Sequence, residues 1–170
     1  MKKWSNTVLS VLSIAVISLL ALGLTSTPAF AGTLTTTLNV TASVVTACSI
    51  SGGTLAFGTY TGAEIDQTAT LTVICTSQGP YSIGLSKGLG NGASTSNRWM
   101  TGATHNEPLY YALYLNAYHG TNWDDYNGTN VYSGNGTGSS QTIPVYGVLA
   151  ANTPLVTDTY SDTITVTITY

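Results

Sequence analysis

The residues with catalytic potential are few and poorly spaced for chemistry. His105 and His119 are the only histidines, and neither stands in an HxH or HExxH spacing that would hold a metal. Both lie in Gly/Asn-rich surroundings and read as surface residues. Glu64 and Asp66 suggest a carboxylate pair of the kind glycoside hydrolysis uses, but they sit two apart in a surface loop and read more simply as solvated. Asp124, Asp125 and Asn127, beside Trp123 and Tyr126, offer oxygens suited to calcium or a sugar, yet their spacing matches no calcium loop. Gly88-Leu89-Gly90-Asn91-Gly92 lacks the following helix and lysine of a phosphate loop, so it reads as a turn. No GxSxG elbow occurs among the serines. The chain is therefore read as not an enzyme, with no cofactor and no metal.

Cys48 and Cys75 are the remaining reactive side chains. They are not in a CxxC arrangement, and two cysteines fall short of a zinc site. In an exported domain two cysteines are expected to pair, a bridge that contributes about 3–4 kcal/mol. Export is read from residues 1–31. Lys2 and Lys3 precede an apolar run over 8–24, and Ala29-Phe30-Ala31 supplies a small-x-small cleavage site. The run is at the short end for a membrane span, and a signal peptide is the reading adopted. Removing Lys2 and Lys3 leaves Lys87 and Arg98 against seven acids, a net charge of −5. So few cations argue against nucleic acid as a partner, which needs clustered Lys or Arg for its phosphates, and against attraction to anionic lipid; the mature chain is read as having no membrane span.

These residues must be held by strands. Residues 160–170 place Ile164, Val166, Ile168 and Tyr170 on one face, with Thr163, Thr165, Thr167 and Thr169 on the other and Asp162 interrupting the apolar row. That period of two predicts a strand buried on one side. A second alternating stretch runs over 34–45, and further β-rich segments lie at 54–60, 68–75, 81–86, 109–118 and 141–149. Gly, Pro, Asn and Ser separate them. Residues 120–140 form the longest polar stretch. There Asn127-Gly128 and Asn135-Gly136 are candidate hairpin turns, with a short strand through 129–132. No segment after the leader carries a helical period, so the fold class is all-β.

The order of segments resembles the spore coat protein U family, the domain shared with archaic chaperone–usher pilins. The resemblance is carried by Cys48, Leu55-Ala56-Phe57-Gly58, Val73-Ile74-Cys75 and Pro80-Tyr81-Ser82-Ile83-Gly84-Leu85. It continues through Arg98-Trp99-Met100, Leu109-Tyr110-Tyr111-Ala112-Leu113-Tyr114, Ile143-Pro144-Val145-Tyr146-Gly147 and Tyr160-Ser161-Asp162. Thr159 departs from the glycine common before the last motif. The resemblance implies an immunoglobulin-like β-sandwich of the pilin type, incomplete and completed by a donor strand. It implies a periplasmic chaperone that lends the strand, an outer-membrane usher that exchanges it for the next subunit's extension, and surface fibres serving adhesion and biofilm formation. In relatives from spore-forming bacteria it implies a spore coat.

On that basis the chain divides into a signal peptide over 1–31, a donor extension over 32–40 and the sandwich domain over 41–170. Leu34, Thr36, Leu38 and Val40 share the donor face, and residues 41–46 are expected as the domain's own first strand. Ile164, Val166, Ile168 and Tyr170 are expected to wall the groove and to contact the chaperone. Three readings stay beside this one: a long N-terminal strand folded back on its own domain, a coat or secreted matrix protein, and a carbohydrate-binding module with Trp99 or Trp123 exposed.

Overall fold

The computed structural model describes residues 31–151 and 156–170. Ala31 apart, the leader lies outside the described residues. The chain divides into Met1–Thr41 and Ala42–Tyr170. Within the first unit, residues 31–41 are exposed and carry no strand.

The second unit is an all-β sandwich. Sheet A has the order β1-β2-β7-β5-β4-β8 and sheet B the order β6-β3-β9. The strands are β1 (Cys48–Ser51), β2 (Ile65–Cys75), β3 (Pro80–Leu85), β4 (Arg98–Gly102), β5 (Pro108–Tyr114), β6 (Tyr132–Asn135), β7 (Ser140–Leu149), β8 (Tyr160–Ser161) and β9 (Val166–Thr169). β2 and β7 form the longest ladder, from Ile65 opposite Leu149 to Ile74 opposite Ser140. Their alternation buries Leu71, Val73, Ile143 and Val145 against Tyr81, Ile83 and Leu85 of β3. The β-branched residues expected of a half-buried pleat occupy the inward positions.

Two buried polar side chains tie the loops to this core. The Trp123 indole is fully buried and donates Nε1–H to Ile83 O at 2.8 Å. Arg98 is also fully buried, and it donates to four carbonyls: Ser86, Thr95, Leu85 and Trp123. That uses four of its five N–H groups, which is how a guanidinium is carried inside without a carboxylate partner. Burial pulls its pKa below the usual arginine value, against the opposing field of Tyr111 and nearby aspartates.

The architecture corrects several strand expectations. Residues 41–46 are not the first strand, which begins instead at Cys48. The alternating 34–45 stretch is exposed and carries no strand. Residues 54–60 are irregular and are held by side chains instead: Leu55 lies over Gly147, and Tyr60 donates its hydroxyl to Ala150 O at 2.6 Å. The 109–118 segment stops pairing at Tyr114. β2 begins three residues before the expected 68, which puts Asp66 on a strand and not in a loop. Asn135-Gly136 closes no hairpin, since β6 pairs with β3 and β7 belongs to the other sheet.

The largest correction concerns residues 160–170. They are two short strands and not one. β8 pairs with β4 in sheet A, and β9 pairs with β3 in sheet B, from Leu85 opposite Val166 to Ser82 opposite Thr169. Residues 162–165 step between the sheets. Asp162 holds the step: Oδ1 accepts from Leu89 N at 2.8 Å and Thr163 N at 2.7 Å, and Oδ2 accepts from the Tyr111 hydroxyl at 2.6 Å. Burial, and then this hydrogen bond, push the Tyr111 pKa upward. Ser86 completes the step, accepting on Oγ from Thr165 N and donating its own N–H to Thr165 O, both at 2.9 Å.

Candidate functional site

The step at Asp162 leaves a groove between the sheets. Residues 52–57 wall one side and residues 160–166 the other, around a volume of about 510 Å³. Leu71 of β2, Val145 of β7 and Leu113 of β5 floor it from sheet A, with Leu85 from sheet B. Phe57 stands 6.2 Å from the Tyr111 ring, between ring centroids. Leu55, Phe57, Ile164 and Val166 are only partly buried, so the groove presents apolar side chains to solvent. Among the described residues lining it, Asp162 is the one charged group.

The same opening exposes backbone. β9 is an outer strand of sheet B, bonded to β3 on one side and to no described strand on the other. An outer edge beside an apolar cleft asks for an extended segment that supplies a ladder and side chains at every second residue. The mostly apolar lining suits the binding of such a segment.

The sequence-derived site residues distribute unevenly around it. Cys48 and Cys75 are bonded and lie opposite each other on β1 and β2, with Cα atoms 4.1 Å apart. Ile164 and Val166 line the groove, but Ile164 belongs to the step and not to a strand. Ile168 lies on β9 opposite Ile83, and Tyr170 follows the strand and is exposed. Leu34, Leu38 and Val40 are 99%, 86% and 84% exposed, and Thr36 between them is exposed as well. Met100, Leu113 and Val145 also line the groove and were not among the residues expected there from the sequence.

The other chemistry-bearing residues resolve as structural. Asp124 accepts from Thr95 Oγ1 and Asn130 N, and Asp125 accepts from Asn127 N, all as loop supports. Trp123 is fully buried, which removes it from any sugar-stacking face. Trp99 packs edge-on to Tyr110 at 5.6 Å, between ring centroids. Glu64, Asp66 and His119 come together on the surface, with His119 Nε2 3.1 Å from Glu64 Oε1. All three are exposed, as an ordinary surface pair is. No helix among the described residues is long and apolar enough to cross a membrane.

Comparison with known proteins agrees with this architecture. The chain is 35% identical to Protein U of Myxococcus xanthus over 84% of its own length and 88% of the relative. It is similar in fold to a chain of the CsuC–CsuE chaperone–tip adhesion subunit pre-assembly complex, from the archaic chaperone-usher Csu pili of Acinetobacter baumannii. That TM-score is 0.57, with 23% identity over 75% of this chain. The match spans only 40% of the Csu chain. Residues 34–167 match the Spore Coat Protein U domain, and the chain belongs to that family.

Proposed function

We propose that this chain is an exported structural subunit of a surface fibre, polymerised by donor-strand exchange and serving adhesion and biofilm formation. The observation that carries the reading is the pairing of two unmet needs in one sequence. The groove lacks an extended apolar segment, and residues 34–40 are an extended-pattern apolar segment without a partner. Leu34, Thr36, Leu38 and Val40 of one copy would enter the groove of the next. Each apolar side chain buried there contributes roughly 1.5–3 kcal/mol at full burial. The contact is head-to-tail, so it yields open filaments and not closed dimers. Before assembly the groove needs a substitute strand, which is the role of a periplasmic chaperone, with an outer-membrane usher exchanging the two. The Csu neighbour is itself part of a chaperone–subunit complex.

A coat role is the second reading, favoured by the family's own description and by the 35% identity to Protein U. It differs in needing no usher.

The test is electrophoresis in SDS, unheated against heated. The samples are the chain exported to an oxidising periplasm with a matching chaperone, and the same chain with 32–38 deleted. A heat-sensitive ladder that the deletion abolishes is the expected result. Stable monomers from both, without the chaperone, would overturn the fibre reading and leave the coat reading.

A further inference from the structure

We propose that Thr36 of the incoming strand donates its hydroxyl to Asp162 of the accepting subunit, and that this contact fixes the register of the joint. The inference rests on the donor-strand reading above and assigns a residue pair within it.

The groove is mostly apolar, and Asp162, at the step, is the one charged residue among those described as lining it. The donor face is apolar except at one place. Leu34, Leu38, Val40, Ala42 and Val44 all stand on it, and Thr36 is its single hydroxyl. Asp162 Oδ1 already accepts two backbone N–H groups, while Oδ2 accepts only the Tyr111 hydroxyl. A carboxylate oxygen takes two hydrogen bonds, so Oδ2 retains an acceptor site. A strand laid over the groove would shield that acceptor site from solvent.

Register follows from that acceptor. Side chains on one face of a strand are about 6.6–6.8 Å apart, so a slip of two residues keeps the apolar face inward and would otherwise be silent. A slip in either direction brings Leu34 or Leu38 onto Asp162 and leaves a covered carboxylate oxygen short of a donor, which is costly. Only Thr36 satisfies it. A single polar residue in an apolar seam specifies register in the same way in coiled coils.

The experiment is the rate at which unheated SDS ladders disappear at stepped temperatures, for the full chain with its chaperone and for three variants. Thr36→Val is isosteric and more apolar, so packing alone would leave its ladder as persistent as the original or more so. The proposal expects Thr36→Val to fall apart on the order of 10- to 100-fold faster, the loss of one hydrogen bond to a charged group. Thr36→Ser restores the original rate, and Thr35→Val, on the opposite face, leaves it unchanged. An undiminished ladder for Thr36→Val overturns the register contact while the fibre reading stands. A starting chain that forms no ladder overturns the fibre reading itself.

Discussion

Residues 33–45 and residues 160–170 are written in the same pattern, with Thr alternating against Leu, Val or Ile over much of each. The second stretch is built into the sandwich, paired with β4 at one end and β3 at the other. The first is exposed from end to end but for Thr46 just beyond it, and it carries no strand. Alternation chooses which side chains face inward, but it does not supply the neighbour. Residues 160–170 find theirs in the same chain, helped across the gap between sheets by Asp162 and Ser86. On the fibre reading proposed above, the neighbour of residues 33–40 is the groove of another copy.

The same insult delivered to both stretches separates them most sharply. Ile168→Asp places a carboxylate opposite Ile83, a fully buried residue. It should cost more than about 3 kcal/mol, a large part of a domain's stability, and sharply reduce the yield of folded protein. Leu38→Asp changes a residue that is 86% exposed and should leave monomer stability within about 0.5 kcal/mol. It should nevertheless abolish the SDS ladder. Thermal melting of the two monomers makes the comparison. Equal losses would mean that residues 34–40 belong to their own domain's fold.

A smaller effect is expected where the two regimes meet. β1 has four residues, forms an outer strand of sheet A, and is fastened to β2 by Cys48–Cys75. Replacing both cysteines by alanine should lower stability by about 3–4 kcal/mol, read as a shift of the urea midpoint. Amide exchange at Ser49 and Ile50 should accelerate beyond the global change, since β1 then lies at the boundary with the unpaired extension. Uniform exchange across sheet A would show that β1 is held by its ladder alone.

The all-β class and the disulfide were legible, the first from local alternation and the second from cysteine count and compartment. What was illegible depended on distant partners. The break at 162–165 needs Leu89 and Tyr111, which are 73 and 51 residues from Asp162. The short strand expected over 129–132 lies at 132–135 instead, because Gly134 and Asn135 read as turn formers, yet a side chain at Gly134 would meet the Tyr81 ring at 2.8 Å. Glycine is there to let two elements approach. β4 was not marked as a strand; it starts at Arg98, which is fully buried there by four carbonyl partners from residues 85, 86, 95 and 123. The groove is a space between the two sheets, so local pattern marks its walls without marking the gap.

The smallest effect lies in how residues 160–170 are anchored at their start. Asp158 accepts from His105 N at 2.8 Å, Thr104 N at 2.9 Å and Thr159 N at 2.8 Å. The His105 amide, and after it those of Thr104 and Thr159, hold this carboxyl well below the ordinary range despite the opposing effect of burial. Its folded pKa lies below the unfolded value of about 3.9, so its stabilisation is present above that pH. The contribution is lost as pH falls toward the folded value. Asp158→Asn should therefore melt below the original protein at pH 7, and the difference should shrink between about pH 4 and pH 2. A gap that stays constant with acid would show that Asp158 acts by shape and not by charge. Ladder formation should follow monomer stability in this variant, because on the fibre reading Asp158 anchors the accepting domain and is no part of the donor strand.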